Sequence, residues 1–174
     1  MTVATETAVR MGQLAASSED GDTLVTIGLG SCIGLVLVDR ARGVAGLAHV
    51  MLPSAAAHAA GERPAGDAAG KYADWAVPAL LERVLALGAT KLRLEAALVG
   101  GAHMFSLAGS SGTLDVGARN EAAVRERLAA ERIAVKAAAT SGSKGRTVRV
   151  QVAGGVVAVR EAAGRDEVLL GAQA

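Results

Sequence analysis

Several kinds of side chain are scarce in this 174-residue chain, and each scarcity excludes something. There is one cysteine, Cys32. A lone thiol excludes an intramolecular disulfide and any zinc site built on several cysteines, and it fits a reducing compartment. Aromatics number only three, Tyr72, Trp75 and Phe105, too few for an RNA-stacking platform. Charge of one sign is also lacking: 18 Lys+Arg stand against 17 Asp+Glu. A net charge of +1 supplies no basic surplus to draw nucleic acid or an anionic membrane surface. The longest uncharged apolar run, Thr23 to Val38, falls short of the ~20 residues a spanning helix needs and is broken by Gly28, Gly30 and Gly34. The opening MTVATETAVRMGQ carries Glu6 and Arg10 and has no apolar core of the signal-peptide kind. A cytoplasmic protein without membrane insertion is expected.

What is abundant is small and apolar. Hydrophobic residues make up 51%, much of it alanine, so the expected core is Ala, Val, Leu and Ile in one domain covering residues 1–174. Residues 1–10 and 161–174 show no sustained period and read as loose ends. Strands are expected at Met11–Ala15, Thr23–Gly28, Ile33–Val38 and Val44–Leu52, the last two forming a hairpin around Asp39–Gly43. Ser54–Gly70, small, polar and interrupted by Pro and Gly, reads as a flexible loop or lid. A helix is expected over Lys71–Leu87, with Ala73, Val77, Leu80, Leu81, Val84 and Leu87 as its apolar stripe and Gly88 as its stop. Trp75 falls on the opposite face. Lys91–Val99 reads as a strand, Ala118–Glu131 as a second helix buried at Val124 and Leu128, and Ile133–Ala139, Thr147–Val152 and Val156–Arg160 as three more strands. About seven strands unevenly mixed with two main helices imply an α+β layered fold with mixed β-sheets.

The chemistry-bearing residues are few. Cys32 follows Gly28-Leu29-Gly30-Ser31, a turn that only glycine-rich sequence makes easily. A thiol there is either a small inert hydrophobe or a nucleophile presented beside backbone N–H groups that could hold an oxyanion. A catalytic cysteine needs a base, and His49 lies on the second arm of the hairpin that begins just after Cys32. Strand alternation puts it on one face with Ala45, Leu47 and Met51. His49 is thus either a hydrogen-bonded core histidine or that base. His58 reads as a solvated loop residue, and His103, after Gly100-Gly101, as a surface or pocket histidine. No Asp or Asn is obviously paired with His49. Thr26, between Val25 and Ile27, is either an ordinary strand threonine or the hydroxyl that orients the imidazole. The glycine turn is followed by a strand, not a helix, so a phosphate site is not expected.

Together these segments resemble the CheD family of chemoreceptor glutamine deamidases. The likeness lies in Thr26-Ile27-Gly28-Leu29-Gly30-Ser31-Cys32 and Ala48-His49-Val50-Met51-Leu52-Pro53. It continues in Lys71-Tyr72-Ala73-Asp74, Gly100-Gly101-Ala102-His103-Met104-Phe105 and Gly117-Ala118-Arg119-Asn120. The resemblance implies a compact α+β layered domain related to cysteine-dependent deamidase toxins. It also implies a catalytic triad of Cys32, His49 and Thr26, with Gly30 and Ser31 in the oxyanion turn and no metal or organic cofactor. Tyr72, Asp74, Trp75, His103 and Phe105 are candidate contacts to substrate or partner. The implied substrate is glutamine in the cytoplasmic helices of chemotaxis receptors, and some members bind the CheC phosphatase. A thiolate–imidazolium pair between Cys32 and His49 would explain reactivity near neutral pH.

Two further readings stand beside the deamidase. One is a regulatory module that binds CheC or a receptor with little turnover, which would not need a nucleophile. The other is a cysteine hydrolase of a small amide, which would need a closed pocket. Trp75 either faces a helical partner or packs under the Ser54–Gly70 loop.

Overall fold

The computed structural model describes residues 3–104 and 115–172. In chain order the elements are β1 (Glu6–Ala8), β2 (Leu14–Ser17), β3 (Thr23–Leu29), β4 (Ile33–Asp39), β5 (Val44–Val50), α1 (Ala73–Ala86), β6 (Glu95–Gly100), α2 (Val116–Ala130), β7 (Ala134–Thr140), β8 (Arg146–Gln151), β9 (Val156–Glu161) and β10 (Glu167–Leu170).

Strands β4 and β5 carry apolar side chains on both faces and are buried along their whole length. Such strands need cover on each side, and the layering supplies it. They lie inside a five-stranded sheet of order β2-β5-β4-β6-β7. On one face Leu35, Leu37, Ala48 and Leu98 pack against Val77, Leu80 and Val84 of α1 and Val124 and Leu128 of α2. On the other, Val36, Val38, Leu47 and Val99 meet Leu24, Leu29, Val148 and Val150 of a second five-stranded sheet, order β1-β3-β8-β9-β10. Both sheets are mixed: β1 with β3 and β6 with β7 pair parallel, the other pairs antiparallel. Small residues let the layers close. A Cβ on Gly46 of β5 would lie 2.8 Å from both Leu80 Cδ1 and Val84 Cγ1, so α1 rests directly on the strand.

The α+β class and the two main helices agree with the sequence reading, while several boundaries and ends differ. The ends expected to be loose carry edge strands, β1 and β10. The expected strand over Lys91–Val99 begins only at Glu95. Lys91–Arg93 is instead a single 3-10 turn with Leu92 97% exposed, and its apolar side chain misled the pattern. Helix α1 starts at Ala73 rather than Lys71, because Tyr72 is extended and bridges Leu52 in parallel. Leu87, assigned to the apolar stripe, lies past the last turn and is exposed. Within 54–70, short 3-10 turns form at Ala56–His58 and Gly66–Gly70, and Gly70 N–H donates to Gly12 O at 3.0 Å.

The hairpin end far from Cys32 is held by a buried carboxylate. Asp39 accepts from the N–H of Arg42 at 3.2 Å, from Thr90 N–H at 2.8 Å and from Arg93 Nε at 3.3 Å. Burial alone would raise its pKa, but these donors outweigh it and hold the carboxyl below the usual range. Its contribution to stability is therefore present above the ordinary carboxylate pKa and is lost as pH falls through the lowered value. Replacement Asp39→Ala should cost about 1–3 kcal/mol at neutral pH. In urea titrations the gap to wild type should close as pH drops below about 4.

Candidate active site

One hydrogen-bond chain crosses between the two sheets. Thr26 of β3 and His49 of β5 are each 1% exposed, facing one another from opposite sheets. Thr26 Oγ1 donates to the backbone carbonyl of Val9 at 2.6 Å and lies 2.7 Å from His49 Nδ1. A hydroxyl has one proton, and the Val9 carbonyl can only accept. Thr26 Oγ1 must therefore accept from His49, which places the imidazole proton on Nδ1 and the free lone pair on Nε2. Nε2 is buried and has no hydrogen-bond partner among the described residues. A neutral imidazole in this tautomer can accept a proton at Nε2, the chemistry a general base requires.

Gly34 of β4 makes room for the crossing. It pairs directly with His49 in the β4–β5 ladder. A Cβ there would meet Leu29 Cδ1 at 2.8 Å, Val148 Cγ1 at 3.2 Å and Thr26 Cγ2 at 3.6 Å. With no side chain at 34, the second sheet comes close enough for Thr26 to reach the ring. Cys32, two residues earlier, falls on the same face of the hairpin and packs, half-buried, against the core between the sheets. The structure thus brings Thr26, Cys32 and His49 to one end of the sheet interface.

The turn that carries Cys32 is fastened from three sides. Gly30 N–H donates to Gly28 O at 3.0 Å, and Gly30 O accepts from Ala102 N–H at 2.8 Å. Cys32 O accepts from Gly101 N–H at 2.9 Å. A Cβ on Gly100 would lie 2.2 Å from that same carbonyl oxygen, and Gly100 has φ +107, so only glycine fits. Arg146 of β8, nearly buried, reaches the Gly100 carbonyl at 3.4 Å and Ser141 O at 2.7 Å, and pairs with Glu161 at 3.0 Å. The Ser31 and Cys32 N–H groups find no hydrogen-bond acceptor among the described residues.

Burial sets the protonation states. It pushes the Cys32 thiol up and the His49 imidazole down, in each case favouring the neutral form. Both directions run against a standing thiolate–imidazolium pair of the kind anticipated from sequence, because burial disfavours the charged form of each group.

The remaining candidates are dispersed. Tyr72 is 5% exposed, its ring edge-on to Trp75 with centroids 4.8 Å apart and tilted against His58 at 5.6 Å. Its side chain is spent on packing, and Trp75 is half-buried beside it. Asp74 accepts from Ala55 N–H at 3.0 Å and from Ser54 Oγ at 3.2 Å, which ties down the start of the 54–70 segment. His103 is exposed, with Nε2 2.7 Å from Asp115, the residue that caps α2 by accepting from Ala118 N–H at 2.9 Å. Phe105 lies outside the described residues. Three participants escaped the sequence reading. The Val9 carbonyl carries no sequence signal. Arg146 stood at the end of a polar turn, just before the strand expected at Thr147–Val152, and was given no role; the structure makes it the first residue of β8. Asn120 of α2, whose amide reaches the Cys32 turn, was marked only as part of a motif. Among the described residues, no three His, Cys, Asp or Glu side chains group to hold a metal. No helix there is long and apolar enough to cross a membrane.

Residues 51–161 match the family described as CheD chemotactic sensory transduction. The chain is 40% identical over 160 residues to a protein of Symbiobacterium thermophilum named probable chemoreceptor glutamine deamidase CheD, covering 92% of this chain and 94% of the relative. It is 39% identical over 137 residues to one of the same name from Clostridium kluyveri, covering 79% and 82%. A third, from Clostridium botulinum strain Alaska E43, is 40% identical over 156 residues, covering 90% and 93%. The family match begins after Cys32 and His49, whereas the 160-residue alignment is long enough that it must span them.

The fastening of the turn can be tested without any substrate. Gly100→Ala should destabilise the protein by about 2–4 kcal/mol, because its methyl group meets the Cys32 backbone and φ is unsuited to alanine. Gly61→Ala, where a Cβ meets nothing within 4 Å, should change stability by less than about 0.5 kcal/mol. Thermal unfolding of the two variants beside wild type checks both.

Proposed function

Because the chain belongs to the CheD family, we propose that it hydrolyses the side-chain amide of glutamine in chemotaxis receptors, with Cys32 as nucleophile, His49 as base and Thr26 as the group that orients His49. The observation that carries this reading is the Val9–Thr26–His49 chain, which leaves His49 Nε2 unprotonated and unpartnered on the face shared with Cys32. A module that only binds has no use for a buried histidine held in one tautomer.

In the proposed reaction Cys32 Sγ attacks the amide carbon as its proton passes to His49 Nε2. The tetrahedral oxyanion is held by N–H groups of the turn. Gly30 N–H is already committed to Gly28 O, so the donors assigned are those of Ser31 and Cys32, with Gly30 shaping the turn. The Nε2 proton then goes to the departing nitrogen, ammonia leaves, and a Cys32 thioester remains. Water, deprotonated by His49, adds to the thioester carbonyl, and the thiol is regenerated with glutamate as product. Bonds and protons balance with no cofactor. Thr26 keeps its acceptor toward Nδ1–H throughout, which supports the imidazolium that forms in each half.

The neutral resting pair makes this a general-base reaction in which charge develops only at the moment of attack. Exposed Met104 lies over the turn, its Cγ 2.9 Å from where a Gly30 Cβ would be. An apolar side chain at the rim favours a protein surface as substrate. We assign the receptor's cytoplasmic helices to that role and the cytoplasm as the site of action. CheC, the partner implied by resemblance, would compete with the receptor for the protein.

Incubation with a receptor cytoplasmic fragment followed by peptide mass spectrometry tests the reading. Wild type should convert Gln to Glu and Cys32→Ala should not. Equal conversion by both would sink it, as would none by wild type. Because burial lowers the His49 pKa, activity should hold through neutral pH and decline only below the ordinary imidazole value of about 6.5.

A further inference from the structure

The β4–β5 ladder ends at the pair Ile33 and Val50. Beyond it the two chains part, one toward Ser31 and Cys32, the other toward Met51. No ladder bond therefore sets how far Cys32 stands from the strand that carries His49. Asn120 of α2 bridges this gap. Its Nδ2 donates to Ser31 O at 3.0 Å and to Met51 O at 2.8 Å, so both hydrogens of one amide are used on the two diverging chains. Ser31 immediately precedes Cys32, and Met51 stands two residues after His49. We infer that Asn120 is a positioning residue that fixes the approach of Cys32 to His49, an inference that rests on the proposed roles of that pair.

Three features support a dedicated clamp. Asn120 is fully buried, yet its Oδ1 has no partner among the described residues. An unpaired buried acceptor is unfavourable, so the two donated bonds must outweigh it. Asparagine is also a poor choice for a helix interior, where it competes for backbone hydrogen bonds. Finally, the helix is seated rigidly where the amide needs it. A Cβ on Gly117 would lie 2.5 Å from Gly101 O and 3.0 Å from Ala102 O. The first turn of α2 thus rests on the very segment whose N–H groups hold Cys32 O and Gly30 O. Only a side chain with two hydrogens on one atom, at asparagine's length, serves both carbonyls. Aspartate would set a carboxylate against them, and leucine offers no donor.

The test reads the thiol directly and needs no receptor. Iodoacetamide alkylation of Cys32 is followed from about pH 5 to about pH 10 in wild type, Asn120→Ala, Asn120→Leu and His49→Ala, each shown to be folded by circular dichroism. Asn120→Leu keeps the volume that Asn120→Ala empties. Wild type should react at neutral pH with His49 assistance. His49→Ala should lose that limb and react only as the thiol ionises at alkaline pH. Both Asn120 variants should fall by about tenfold or more at neutral pH, toward the His49→Ala rate, and rejoin wild type at alkaline pH, where no base is needed. Retention of the neutral limb in either folded Asn120 variant would overturn the inference. So would an equal change at neutral and alkaline pH, which is what altered access to the thiol alone produces. If His49→Ala itself keeps the neutral limb, the pairing of Cys32 with His49 fails and the clamp falls with it.

Discussion

The rest of the site depends on a single hydroxyl proton. Thr26 gives it to the Val9 carbonyl, and that commitment obliges Thr26 Oγ1 to accept from His49. The imidazole has no second choice of tautomer, because its Nδ1 side is sealed between two sheets. Everything nearby serves this contact. Gly34 removes the side chain that would hold the sheets apart, Val9 is pinned through its own N–H to Val25 O at 2.7 Å, and β5 is covered by α1 on its other face. A triad is usually completed by a carboxylate, which stabilises the imidazolium by charge. A buried threonine supplies orientation without a second charge to desolvate.

That economy fits the electrostatics. Burial pushes Cys32 and His49 each toward its neutral form, and a site neutral at rest incurs no desolvation penalty for an ion pair. In the proposed reaction charge separates only when an electrophilic carbon arrives to take the sulfur electrons, and in attack on an amide the turn N–H groups receive the oxyanion. A half-buried cysteine with a raised pKa also resists adventitious oxidation and alkylation better than a standing thiolate. For the proposed reaction the cost is geometric: a neutral thiol must stand close to its base at the moment of attack, and the turn that carries Cys32 is held by Gly101, Ala102 and Asn120.

Much of this was legible in the sequence, for identifiable reasons. Strands β4 and β5 announce themselves as apolar runs around a turn, and His49 stands out as the one titratable group inside such a run. The glycine turn marks Cys32. What alternation and periodicity could not reveal is any contact between residues remote in sequence. Val9 contributes only a carbonyl, so its side chain carries no trace of its role. Asn120 acts across 89 residues to Ser31, and in a helix pattern it reads as one more polar position. Leu92 and Leu87 erred the other way, as apolar side chains left at the surface by a 3-10 turn and a helix end. Edge strands β1 and β10 were missed because three or four residues are too short to show a period.

The central claim is the tautomer of His49. Side-chain nitrogen NMR on protein labelled at histidine nitrogens, at neutral pH, reads it directly. The Val9–Thr26–His49 chain predicts a protonated Nδ1 and a bare Nε2 in wild type, with Thr26→Val releasing the ring to populate both neutral tautomers. A proton found on Nε2 in wild type would mean that Thr26 donates to the ring instead of to Val9, and that His49 cannot take the proton of Cys32.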